Sequence, residues 1–448
     1  MPVSGRLNLL RRAPSFRLLF LASAGSAFGT YLAAVALTLQ VFALTDSGTW
    51  VAALLVADFL PIVVIGLALG PLLDRLQRRR LIIAADLTRA AVFCALPFVS
   101  TPAAIVALAA ISGIATGFFR PAVYAGVPNL VEGDDDLTEA NSLLIGVENL
   151  AWVIGPVVAG ALVAGFGPDP AYWINAATFA FSALLVARIP ARRLQSEESL
   201  SRGHWRDVRE GLSLVLRAPQ LRAVLLVWNV VIIGNAAVNV AEVVFAQESL
   251  GAGSTGFGIL VAASGVGLTL GSFATPFVMG SLGLRRLYVF AVALMGVGWG
   301  AAAMAPALWV AVPLVIVATI GNGMAIVCNQ VLIQRGSPDR LRGRAIAVLM
   351  SSTYATMAIA MGVAGVLVNS LGGRAVWALA GVVYLIGALV ALALTRRLPV
   401  STFERPAPEP EPLVPDGSHI VERINTATGM RQPPPPPPQT REASPSRD

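Results

Sequence analysis

Four carboxylates and two arginines of this 448-residue chain fall inside long apolar runs, where an ionised side chain is costly and is a functional candidate by default. Asp58 stands near the middle of the run 50–72, and Glu148 lies about a third of the way along the run 143–166. Neither has an arginine within one helical turn on its own segment. A carboxyl left unpaired in a low-dielectric bundle favours its neutral form, so it can take up and release a proton, which is the chemistry of ion coupling. The alternative is a neutral, hydrogen-bonded carboxylic acid that only packs. Glu242 sits close to the end of its run, would simply reach water, and ranks third as a proton carrier. Asp86 and Arg89 follow Leu81 by 5 and 8 positions, and Arg120 precedes Pro128 by 8. At about 1.5 Å per residue all three would lie roughly 8–12 Å from one membrane face. An Asp86–Arg89–Arg120 network for structure or gating is expected there, because a paired carboxylate holds its charge.

Neutral polar residues on the same runs are candidates for a substrate cavity: Gln40, Asn149, Asn229, Asn235, Asn239, Asn322, Asn329 and Gln330, with Tyr31, Trp152 and Tyr354 as aromatic walls. About half of these would instead be interhelical glue. Cys94 and Cys328 are far apart in apolar surroundings, which suits packing rather than a metal or redox pair. His204 and His419 fall in a loop and in the tail, so no metal site is expected. The chain contains no lysine, which excludes the phosphate-binding loop Gly-x-x-x-x-Gly-Lys and with it ATP drive within this chain. No cofactor, no enzyme activity and no nucleic-acid partner are expected.

The elements that position these residues follow from composition. Apolar side chains make up 56% of the chain and charged ones 13%, with a mean hydropathy of +0.73. Soluble domains run near 45–50% apolar and about 25% charged. A spanning helix needs about 20 apolar residues. Runs of that length recur at 18–42, 50–72, 81–98, 103–127, 143–166 and 171–187. After a polar stretch they resume at 223–245, 256–279, 287–304, 308–333, 345–368 and 375–394. The first continues well past the small-residue site Ala22-Ser23-Ala24, too long for a signal peptide, and is expected to stay. The expected fold is an all-α integral membrane protein of twelve spans.

Arginine sets the expected orientation. Arg6, Arg11, Arg12 and Arg17 precede span 1, Arg75 and Arg78–Arg80 join spans 2 and 3, and eight arginines lie in 188–222. Arg285 and Arg286 join spans 8 and 9, and Arg335, Arg340, Arg342 and Arg344 join spans 10 and 11; the alternate loops hold none until Arg374. The positive-inside rule then puts both termini in the cytoplasm of a bacterium's inner membrane. The loop between spans 4 and 5 is expected to be an acidic exception, with Glu132, Asp134, Asp135, Asp136 and Glu139. The division expected is an N-terminal bundle at 1–187, a linker at 188–222 with a surface helix at 209–217, a C-terminal bundle at 223–397, and a disordered proline-rich tail at 398–448. Arg79-Arg80-Leu81 reappears as Arg285-Arg286-Leu287 at the matching place in the second six spans. Two pseudo-symmetric sets of six suit a rocking, alternating-access transporter.

Gly70-Pro-Leu-Leu-Asp74-Arg75-Leu-Gln-Arg78-Arg79-Arg80 resembles the signature loop of the major facilitator superfamily, Gly-x-Leu-x-Asp-Arg-x-Gly-Arg-Arg, with Gln77 in place of the second glycine. The resemblance implies a gating latch made by Gly70, Asp74, Arg75, Arg78 and Arg79. Phe118-Phe-Arg120-Pro121-Ala, Val127-Pro128-Asn-Leu, Ala140-Asn141-Ser-Leu-Leu, Gly155-Pro156, Gly160, Arg209-Glu-Gly-Leu and Arg342-Gly343-Arg344-Ala together look like the macrolide-efflux and enterobactin-exporter branch. What this implies is a proton-driven antiporter exporting drug-like small molecules, a monomer whose partners are its substrate, protons and membrane lipids. A dedicated exporter of one metabolite, such as a siderophore or a self-made antibiotic, and a lipid flippase are the readings nearest to it. From another class comes a membrane anchor that presents the proline-rich tail to a partner.

Overall fold

In the bilayer core no water is present to satisfy backbone N–H and C=O groups, so each apolar run must close its hydrogen bonds internally. The computed structural model describes residues 3–68, 76–194 and 204–396, and these are helical almost throughout, with no strand among them. The spans are 1, Pro14–Thr45; 2, Gly48–Ala68; 3, Arg78–Ala95; 4, Pro102–Gly126; 5, Gly133–Phe166; 6, Asp169–Ala187; 7, Pro219–Val244; 8, Gly253–Leu282; 9, Leu284–Ala303; and 10, Leu308–Gly336. Ten described helices are long and apolar enough to cross a membrane. One of the ten, Asp339–Arg396, turns back at Gly372 (φ 79°, ψ 164°) and so supplies both spans 11 and 12. Span 2, whose apolar stretch is shorter, completes twelve. Gly372 occupies a conformation that costs glycine little and other residues much. The tail and residues 195–203 lie outside the described residues.

Two helices lie off the membrane path, Val3–Arg12 before span 1 and His204–Arg217 before span 7. The acidic segment expected as a loop is a correction: span 5 begins at Gly133, so Asp135, Asp136 and Glu139 lie in its first turns. Acidic residues are favoured there by the partial positive charge of the helix N-terminus. Arg12 pairs with Asp136 at 3.5 Å and ties the N-terminal helix to this end.

The two sets of six spans pack by the same plan. Gly29 of span 1 meets Asn175 of span 6, and Gly234 of span 7 meets Tyr384 of span 12. Gly113 of span 4 lies against the Asp58 carbonyl of span 2, and Gly271 of span 8 against the Ile320 carbonyl of span 10. Span 1 meets span 5 at Tyr31 and Gly155, while span 7 meets span 11 where Asn229 accepts from Ser352 and Thr356.

Between the sets, span 5 meets span 8 through Pro156 and Gly258, Gly160 and Ser254, and Trp152 and Gly265. Span 2 meets span 11 through Gly48 and Val368, Ala52 and Gly365, and the Phe59–Tyr354 ring pair at 5.2 Å. These contacts run from the arginine-poor end of each helix to about its middle. A Cβ on Gly258 would stand 2.2 Å from the Pro156 carbonyl oxygen, whereas one on Gly362 would meet nothing within 4 Å. Gly258→Ala is therefore expected to cost about 1–3 kcal/mol in unfolding of the purified protein, the usual range for overpacking. Gly362→Ala should leave stability unchanged or raise it slightly, as alanine favours helix.

Candidate functional site

Asp86 and Arg89 are three apart on span 3, so their side chains share one face, and both are buried. Arg89 donates to Asp86 Oδ1 at 2.5 Å, and the Ser182 hydroxyl of span 6 donates to Asp86 Oδ2 at 2.7 Å. The guanidinium is sandwiched between Phe119 of span 4 and Phe179 of span 6, with 4.1 Å to each ring centroid. Pairing and stacking together replace the water that both charges have lost. Arg120 does not join this pair, contrary to the expected three-membered network. Successive residues on a helix point about 100° apart. With Phe119 turned towards Arg89, its neighbour Arg120 faces another way.

Arg120 instead donates to Glu148 Oε2 of span 5 at 2.9 Å, and the Tyr124 hydroxyl donates to Oε1 at 3.2 Å. Glu148 is thus a paired carboxylate, not the solitary one expected. The side chains of Arg120 and Glu148 keep 54% and 29% of their surface exposed. One turn along span 5 from Glu148, Trp152 stacks on Tyr31 of span 1, with centroids 6.0 Å apart and planes 3° from parallel. Spans 1, 4 and 5 therefore bring one cation, one carboxylate and three aromatic rings to a common wall. Tyr124, Phe119, Phe179 and Ser182 were not singled out from sequence. Tyr124 alone carried a signal, being four residues after Arg120 and so on the same face.

Asp58 is exposed halfway along span 2 and belongs to none of the described ion pairs. Glu242 is a correction of another kind: it is buried, and its Oε1 has no hydrogen-bond partner among the described residues, so it does not reach water. In the second set of spans a cavity of about 160 Å³ opens between spans 7, 10 and 11. Trp228, Asn229, Asn329, Gln330, Met350 and Thr353 are among its lining. Among the described residues the amide oxygen of Asn322 is buried without a partner. Other candidates serve packing: Asn235 accepts from the Tyr384 hydroxyl at 2.9 Å, Asn239 donates to the Asn235 carbonyl one turn back, and Gln40 accepts from Tyr172 at 2.5 Å. Asn149 is half-buried on span 5, and Tyr354 lies edge-on to Phe59.

Of the signature loop, Gly70, Asp74 and Arg75 lie outside the described residues. Arg78 donates to the carbonyls of Ala125 and Leu194 at 3.0 and 3.2 Å, and Arg79 donates to that of Ala187. Ala125 and Ala187 end spans 4 and 6, where the helix dipole favours a cation. Two quoted motifs also meet, since Arg344 pairs with Glu210 of the linker helix.

A family model described as transmembrane secretion effector matches residues 7–429. The chain belongs to that family. The chain is similar to the multidrug efflux pump Tap of Mycolicibacterium fortuitum, at 26% identity over 409 residues that cover 88% of this chain and 99% of Tap. It is also similar to macrolide efflux protein A of Enterococcus faecalis, at 31% over 176 residues, 38% of this chain and 54% of that protein. In fold it resembles the nucleoside transporter NupG, with a TM-score of 0.70 and 16% identity over 86% of this chain and 100% of that one. A bacterial homologue of the iron transporter ferroportin gives 0.70 and 15%, with 86% and 99% covered. The chain is thus a multi-pass transporter of the major facilitator fold.

Because the Asp86–Arg89 pair is buried, Arg89→Leu should destabilise the purified protein by about 3–5 kcal/mol, the cost of stranding a buried charge. Adding Asp86→Asn should recover much of that loss, since the neutral amide side chain can still accept from Ser182. Thermal unfolding in detergent measures both.

Proposed function

We propose that this protein exports hydrophobic or amphiphilic small molecules across a bacterial plasma membrane in exchange for protons, with both termini in the cytoplasm. The orientation rests on the distribution of arginine, which every second loop carries, the acidic one between spans 4 and 5 excepted, and the alternate loops lack except for Arg374 between spans 11 and 12. Efflux is in keeping with relatives named as a multidrug pump and a macrolide efflux protein. The observation that carries the coupling is the Arg120–Glu148–Tyr124 cluster, a partly exposed carboxylate held by one cation and one hydroxyl.

In its charged form Glu148 holds the Arg120 guanidinium and the Tyr124 hydroxyl. A proton on Glu148 cancels the charge that attracts Arg120 and frees one carboxyl oxygen to donate rather than accept. The link between spans 4 and 5 then loosens, beside the Tyr31–Trp152 stack that would face an amphiphilic substrate. Proton and substrate would in this way act on the same contact in opposite senses, so that binding of one disfavours the other, as antiport requires. Asp58, exposed and without a described ion pair, is the second carboxylate in reach of the interior, and Glu242 the third. The Asp86–Arg89 pair braces span 3 against spans 4 and 6, and Arg78 and Arg79 fasten the loop before span 3 to the ends of spans 4 and 6.

Dye efflux in inverted vesicles under an imposed pH gradient tests this reading with Glu148→Gln, Asp58→Asn and Glu242→Gln. Glu148→Gln should insert normally and lower gradient-driven flux by about tenfold or more, within the usual span of coupling between two ligands. If all three variants respond to the gradient as the parent does, the coupling assignment falls.

A further inference from the structure

The arginine-poor end of the seam between spans 2 and 11 is fastened by side chains that carry no charge. Asn369, near the end of span 11, accepts at Oδ1 from the Gly48 backbone N–H at 2.6 Å. Its Nδ2 donates to Ser47 Oγ at 3.1 Å and to Thr49 Oγ1 at 2.9 Å. The Thr49 hydroxyl in turn donates to the Gly365 carbonyl at 3.2 Å. One amide side chain thus engages three successive residues at the start of span 2, far away in the chain.

The geometry is specific to these residue types. The first N–H groups of a helix have no partner within it, and the amide oxygen of Asn369 satisfies one of them. Backbones must approach closely for so short a side chain to reach. A Cβ on Gly48 would stand 2.2 Å from a Val368 methyl, and one on Gly365 2.7 Å from the Ala52 Cβ. The partner seam, between spans 5 and 8, closes differently. There Gly258 and Gly160 pack against the carbonyls of Pro156 and Ser254, with no side-chain hydrogen bond across it among those described.

We propose that Asn369 is a positioning residue for transport, the centre of a polar latch that holds the arginine-poor end of spans 2 and 11 shut and releases when that end opens. The proposal rests on the alternating-access reading and on the orientation given above, which make this the outer gate. Its strength fits a contact broken once per cycle. Asn369 and Thr49 are exposed, so on opening their groups exchange protein partners for water. Each such bond then shifts an equilibrium by only about two- to tenfold. None of the four bonds itself involves an ionisable side chain.

The test is a distance measurement by electron paramagnetic resonance between spin labels at Ser100→Cys and Met304→Cys, in a parent carrying Cys94→Ala and Cys328→Ala. Both labelled positions are exposed on the arginine-poor face, one in each set of six spans. Asn369→Leu should move the population towards the longer, open distance by about tenfold or more, as expected for losing three bonds. Thr49→Val, which keeps the shape and removes one hydroxyl, should move it less. The double variant should shift the population by less than the product of the two single effects, because both variants remove the same bond.

Single variants that leave the distances of the parent, or effects that simply multiply, would overturn the latch. If Asn369→Leu fails to fold, Thr49→Val and Ser47→Ala decide the matter by the same readout. The measurement needs neither substrate nor gradient. Shifted distances in a protein that moves no dye would retain the latch and sink the exporter reading alone.

Discussion

Helices already dissolved in lipid gain nothing by hiding apolar side chains against one another, so their association depends on how closely their backbones can approach and on what polar groups cross the gap. Much of this protein follows from that constraint. Gly113 lets span 4 rest on the backbone of span 2, Gly271 does the same for spans 8 and 10, and Gly29 and Gly234 open matching notches in the two sets of six. The outward faces need no such care and carry large apolar residues, Phe273, Phe277 and Ile359 among them. Residues buried between helices are correspondingly small, with alanine prominent among them.

Charge follows a second rule, set by how much water a group keeps. Asp86 and Arg89 keep almost none, and the protein surrounds them with a hydroxyl and two aromatic faces so that neither charge is alone. Arg120 and Glu148 keep water on one side and need fewer partners. The same two chemical groups therefore make a brace in one place and an exchangeable contact in the other. Burial decides which, because desolvation stabilises a good pair and penalises any state in which it is broken.

The spans were legible in the sequence because a bilayer demands length and apolarity, and few other structures need both for so long. The start of span 5 was not, since the acidic residues that suit a helix N-terminus look like a polar loop. The partner of Arg120 was missed because sequence position measures depth along a helix well and direction around it poorly. Phe119 and Arg120 are adjacent, yet that single step sends one to span 3 and the other to span 5. The bonds made by Asn369 were beyond reach for a different reason, as nothing local marks a side chain whose partners lie across the bundle.

Spans 11 and 12 are joined by a bend at one glycine, with no slack between them. Span 11 lies on the seam between the two sets, while span 12 shows Leu379, Val382, Leu385 and Leu389 on its outer side. A hairpin this tight moves as one body. Any tilt that lipid thickness imposes on span 12 is therefore handed to span 11 and to the seam it closes. Thinning or thickening a bilayer costs a fraction of a kcal/mol per Å of mismatch, comparable to a single hydrogen bond exposed to water. With that seam as the outer gate proposed above, the surrounding membrane is mechanically part of it.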